Sequence, residues 1–284
     1  MEKYSLLRRK VQSSGLVSER DLRVPTAATD KELERVHDSD YLEAVKAGSL
    51  DRAAIRRIGF PWSSELVERS RRSCGATISA CRSAFEEGVS VNLAGGTHHA
   101  HAGSGEGFCV FNDSAVAARA VQAEGLVTRV ILIDCDVHQG NGSASIFRDD
   151  PTVYTFSIHG EGNFPFDKVE GDFDISLRDG TKDPEYLEEL ERGLEAALDQ
   201  FGAELAIYLA GADPHERDRL GRLALTFEGL ARRDELVFSQ CRRRGIPVAV
   251  TMAGGYGEDV RETAEIHFQT VRRAAGFHRS FPSP

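Results

Sequence analysis

The stretch VTRVILIDCDVHQG, residues 127–140, decides how this chain folds. Its first half is nearly all apolar and rich in β-branched residues, the pattern of a strand buried on both faces, as in a parallel sheet. Its second half turns polar at once and delivers Asp134, Asp136 and His138. Four other stretches make the same switch. Residues 89–93 run into Gly95-Gly96-Thr97-His98-His99, and residues 152–159 end on Ser157-Ile158-His159. Residues 204–210 run into Gly211-Ala212-Asp213, and residues 247–253 into Gly254-Gly255-Tyr256-Gly257. Amphipathic spacing between them predicts helices over 64–87, 113–124, 184–200, 226–244 and 257–275, with Asp113 and Thr226 as N-caps.

This rhythm predicts a single α/β domain over residues 1–284, with a mostly parallel multi-stranded sheet and helices on both faces. Only the tail, 278–284, is expected to be disordered. In open α/β sheets, sites form in the crevice beyond the carboxyl ends of the strands. All five polar clusters fall there.

Composition bounds the function. With 40% hydrophobic and 28% charged residues, the 284-residue chain is ordinary globular material. A net charge of −10 argues against a bulk electrostatic grip on nucleic acid or on an anionic membrane. No apolar run approaches the ~20 residues of a membrane span, and the charged start has no signal-peptide core. The five cysteines are odd in number and form no C-x-x-C pair. Reduced cysteines in a cytoplasmic protein are expected, not a disulfide framework or a zinc knuckle.

Asp136-x-His138 alone is often an incidental surface pair. Asp213, after another strand, supplies a third donor. Two carboxylates and an imidazole with an open position suit catalytic Zn²⁺, or Fe²⁺. Adjacent His98 and His99, if extended, point in opposite directions, so they suit two acid/base roles beside one water better than one metal. Tyr256, with glycine on either side, can donate to a developing oxyanion. Each has a plainer reading as a packed or loop residue. Together they make a hydrolytic set.

With these pieces in order, the chain resembles the zinc-dependent histone deacetylase family (arginase/deacetylase fold), and in particular its bacterial class IV-like and acetoin-utilisation-type members. The stretches that carry the resemblance are 95–113 (GGTHHAHAGSGEGFCVFND), 133–147, 154–166, 209–226 and 252–257. The resemblance implies an amide hydrolase that removes an acetyl or longer acyl group from acyl-lysine or a small acylated amine. It implies Asp136, His138 and Asp213 as zinc ligands, His99 as general base and acid, His98 as its electrostatic partner, and Tyr256 as the oxyanion donor. Asp134 would orient His98. It would also share a K⁺ site with Asp136, His138, Ser157 and Ile158. Gly107, Phe108 and Phe164 would line the acyl channel, beside Gly254 and Gly255.

Three departures stand out. Gln139 replaces a histidine common in the family. Asn141 replaces an aspartate that pairs with the second histidine, which should lower the pKa of His99. In the family a strand and a Pro-rich loop usually precede the segment that here begins at Lys3-Tyr4, and this chain is expected to lack them. A sheet edge and part of the channel rim are then expected to be absent or supplied by a partner. Two alternatives remain. A binuclear ureohydrolase would need carboxylates where Gly140 and His215 stand. A non-catalytic acyl-lysine reader would not need the full set of His98, His99, Tyr256 and three ligands. The oligomeric state is not legible.

Overall fold

The structure, a computed structural model, describes residues 2–278. Six strands form one sheet: Val89–Val91 (β1), Val130–Asp134 (β2), Val153–Gly160 (β3), Phe173–Leu177 (β4), Leu205–Leu209 (β5) and Val248–Thr251 (β6). Their order is β1-β6-β5-β2-β3-β4, and every pairing is parallel. From β2 the chain moves outward to β3 and β4, then returns to place β5 on the other side of β2. The carboxyl ends of β2 and β5 therefore flank a topological switch point, the usual crevice for a site.

Successive strand residues face opposite sides. Ile131 and Ile133 of β2 join a core with Leu7, Tyr186, Phe238 and Val271, from Glu2–Ser13 (α1), Asp183–Phe201 (α8), Phe227–Arg243 (α9) and Val260–His278 (α10). Val130 and Leu132 join a second core with Leu33, Leu42, Ile58, Ile78 and Val116. Those come from Asp30–Leu33 (α2), Ser39–Ala47 (α3), Arg52–Ile58 (α4), Ser64–Glu87 (α5) and Asp113–Ala123 (α6). The sheet is thus covered on both faces, as expected.

The structure corrects several details. The expected N-cap Asp113 is instead the first residue of α6; Asn112 caps it, its Oδ1 accepting from Ala115 N at 3.0 Å. The Asp113 carboxylate accepts from Gly96 N (3.1 Å) and Thr97 N (2.7 Å), anchoring the tandem-histidine loop. Thr226 caps α9 as expected, through Gly229 N at 3.0 Å. Strand β4 and the helix Asn141–Phe147 (α7) went unforeseen, as did α1 to α4. The expected disordered tail begins at His278, the last residue of α10; residues 279–284 lie outside the described residues.

Candidate active site

Asp136 and His138 leave the end of β2, and Asp213 leaves the end of β5. One donor atom from each falls within 4.8 Å of the others, and all three residues are buried. His138 Nδ1 lies 3.0 Å from Asp136 Oδ1 and 3.3 Å from Asp213 Oδ2. Burial opposes the His138 cation, but Asp136 and Asp213 overcome it and raise its pKa to about 10. Burial, with the Asp136 charge, lifts Asp213 to about 6. Burial also works against ionised Asp136, yet His98 and His138 hold its pKa well below the usual carboxylate range. Asp213 Oδ2 is buried without a hydrogen bond. Its one partner is the His138 cation at 3.3 Å; a divalent cation would take that place and satisfy the buried oxygen. The donor set fits such an ion.

The backbone is built around these donors. Gly254 N donates to Asp136 Oδ2 at 2.7 Å. A Cβ on Gly254 would lie 1.8 Å from Asp213 Oδ2. Behind the loops, the buried Arg233 guanidinium donates to Gly211 O (2.5 Å) and Cys135 O (3.3 Å), tying the ends of β5 and β2 together.

The tandem histidines do not point apart. Their ring centroids are 4.1 Å from one another. The segment is not extended: Gly95 and Gly96 take φ of +82° and +78°, and Asp113 pins the turn from below. His98 Nδ1 meets Asp134 Oδ2 at 2.6 Å, and His99 Nδ1 meets Asn141 Oδ1 at 2.7 Å. Their charges diverge. Burial works against the His98 cation, but Asp134 and Asp136 raise its pKa to about 9. Burial holds His99 neutral, well below 6.5, helped by the nearby His98 and His138 cations. The direction expected for His99 is found; its main cause is burial.

Tyr256 shares one cavity with His98, His99, Asp136, His138 and Gly254. Burial, then Asp213 and Asp136, push its pKa well above 10, so the phenol stays a donor. Gly107 and Phe108 border the same cavity, and Phe108 lies 5.8 Å from Tyr256 between ring centroids. Phe164 does not border it; it meets the His99 ring edge-on at 4.9 Å. Gly255 does not border the cavity either. Of the residues expected around K⁺, Asp134 and Ser157 are register partners, and Asp134 Oδ1 accepts from Asp136 N at 3.1 Å. The Ser157 hydroxyl meets His159 Nδ1 at 2.9 Å, and Ile158 pairs with Ile175.

The histone deacetylase domain family matches residues 1–271. The chain belongs to the histone deacetylase family. An uncharacterized protein of Picosynechococcus sp. is 44% identical, covering 97% of this chain and 91% of its own length. Histone deacetylase 2 of Arabidopsis thaliana is 34% identical over 86% of this chain and 65% of its own. The acetoin utilization protein AcuC of Bacillus subtilis is 32% identical over 84% and 67%. Among solved structures, an HDAC homolog complexed with SAHA superposes with a TM-score of 0.82 at 27% identity, covering 96% of this chain and 77% of the homolog. The chain and that homolog share the arginase/deacetylase fold.

In this histone deacetylase family chain, Gln139 turns away from the metal donors. Its Nε2 donates to Val169 O (2.7 Å) and Asp174 Oδ1 (2.9 Å). His215 packs on Phe227 at 4.6 Å, where a ureohydrolase reading needs a carboxylate. Sequence reasoning missed Lys3, whose Nζ donates to Ala253 O (3.0 Å) and Gly255 O (3.3 Å) beside Tyr256. It also missed Arg233 and Glu106. Glycines on both sides of Glu106 were the available signal, a side chain presented by a bending loop.

Proposed function

We propose that this chain is a metal-dependent deacylase that hydrolyses the amide of an acyl-lysine or a related acylated amine. The observation that carries this reading is the convergence of His98, His99 and Tyr256 on one cavity beside the three buried donors. Asp136, His138 and Asp213 would hold Zn²⁺ or Fe²⁺, which supplies Lewis acidity toward a carbonyl and a water. K⁺ would belong with Asp134 and Ser157, on the strength of the family likeness.

His99 is neutral, and its Nδ1 is engaged by Asn141. Its Nε2 therefore accepts the proton of the attacking water and later returns it to the leaving amine nitrogen. His98, kept cationic by Asp134, stabilises the negative charge that develops next to it. The Tyr256 hydroxyl donates to the carbonyl oxygen as that charge grows. Phe108 and Gly107 flank the acyl chain and exclude water. The neighbouring homolog's complex with SAHA is in keeping with such a channel.

The test is to load purified protein with Zn²⁺ or Fe²⁺ and assay acyl-lysine peptides of increasing chain length beside acetylpolyamines. Turnover is expected on at least one series, lost on chelation and restored by the ion. No hydrolysis with either metal on any of these substrates would refute the reading.

A further inference from the structure

His99 does not end its hydrogen-bond chain at Asn141. On the far side of the amide stands Glu106. Asn141 Nδ2 donates to Glu106 Oε1 at 2.6 Å, while Asn141 Oδ1 faces His99 Nδ1 at 2.7 Å. His101 closes the group, with Nε2 3.4 Å from Glu106 Oε1 and 3.3 Å from Asn141 Nδ2; an Nε2 that donates to Glu106 cannot also accept from that amide, so Glu106 is the acceptor for Nδ2. His99 and Asn141 are buried; Glu106 and His101 reach toward solvent.

An amide has a donor end and an acceptor end, and half a turn exchanges them. A carboxylate only accepts. Glu106 therefore demands Nδ2 and leaves Oδ1 for His99. Oδ1 in turn only accepts, so His99 Nδ1 must carry the hydrogen and Nε2 keeps its lone pair. If the amide turned over, two acceptors would meet at Glu106 and a donor would face His99 Nδ1. His99 would then carry its proton on Nε2 and could not take one from water. A carboxylate in place of the amide would need no such control, because both its oxygens accept.

We propose that Glu106 is a positioning residue that fixes the tautomer of His99 through Asn141. Its catalytic consequence rests on the deacylase reading; the tautomer itself does not. The substitution Asn141→Asp, by contrast, would set two carboxylates against one another.

Two measurements test this. The first is ¹⁵N NMR of histidine-labelled, metal-free protein, with the His99 signals assigned by their loss in His99→Gln. The parent is expected to show protonated Nδ1 and bare Nε2. Glu106→Ala should shift His99 toward protonated Nε2, and Glu106→Gln, which still offers an acceptor, should restore the parent tautomer. An unchanged tautomer in Glu106→Ala overturns the proposal. This result stands whether or not the protein hydrolyses acyl-lysine.

The second is a double-mutant cycle on the metal-loaded enzyme. Glu106→Ala should lower kcat by about 10–100-fold, as loss of an outer-shell partner does, with KM changed less than about twofold. Glu106→Gln should recover most of that loss. In an Asn141→Asp background the sign should reverse, and Glu106→Ala should raise kcat by relieving repulsion. An equal loss in both backgrounds would mean that Glu106 only supports its loop, and the proposal would fail.

Discussion

At the scale of single residues, burial and neighbouring charge keep Tyr256 and His98 protonated and His99 neutral. Tyr256 is held protonated by burial and by two neighbouring carboxylates. Tyr256→Phe should therefore remove one oxyanion donor and little else. We expect kcat to fall by about 10²–10³-fold with metal content unchanged, checked by steady-state kinetics beside elemental analysis. Near-normal turnover would remove Tyr256 from the oxyanion role. His138 gives a second test. Without an ion it is a cation at neutral pH, with a pKa of about 10. A ligating imidazole must be neutral, so metal binding at pH 7.5 should expel the His138 proton. Calorimetric titration of Zn²⁺ in two buffers of different ionisation heat reads that release, and a heat independent of buffer would refute it. These residues were legible because each follows a strand directly. Glu106, Lys3 and Arg233 were not. Lys3 acts on carbonyls 250 and 252 positions away, and no local pattern encodes that.

At the scale of elements, each strand that leads into a candidate site residue could be read from a short, mostly apolar run. Strand β4 could not. Its sequence Phe173-Asp-Ile-Ser-Leu177 alternates and is half-exposed at the sheet edge, and it carries no site residue proposed here. Helix α7 opens Asn141-Gly142-Ser143, residues of poor helix propensity held by tertiary contacts. The register of the loops was also hidden, because it depends on glycine close approach. Gly254 shows how tight that is. Its Cβ would overlap Asp213 Oδ2 and lie 2.6 Å from Asp136 Oδ2. Gly254→Ala should displace both carboxylates and abolish stoichiometric metal binding. Gly276→Ala is the matched control: it sits in α10 with nothing within 4 Å of a new Cβ. It should bind metal normally and gain about 0.5–1 kcal/mol of stability. Metal analysis and denaturation of the two variants separate these effects. Normal metal content in Gly254→Ala would show that the loop yields.

At the scale of the whole molecule, stability should depend on histidines buried without charge. His37 joins three separate segments. Its Nδ1 meets His101 O at 3.0 Å, and its Nε2 accepts from Asn112 N, the cap of α6, also at 3.0 Å. Burial lowers its pKa to about 4, and burial lowers that of His159 to about 3. An unfolded histidine titrates near 6.5. Between these values the unfolded chain binds more protons than the folded one, so stability falls as pH falls. The contribution of His37 is complete above about pH 6.5 and drains away as pH drops toward 4. Asp213, raised to about 6, acts in the opposite sense below that pH, so the parent's own pH curve mixes the two. The difference between parent and His37→Gln removes the shared part. Gln lacks the titration but costs stability at pH 7.5, where the buried hydrogen bonds of His37 are intact. The gap in unfolding free energy should therefore narrow by about 2–3 kcal/mol between pH 7.5 and 4.5, from a shift of this size at 1.36 kcal/mol per unit. Urea titrations of both metal-free proteins at several pH values measure it. A gap that stays constant would mean that His37 takes up its proton inside the folded protein, and that the joint it makes among α3, the 101–102 loop and α6 is not what acid breaks.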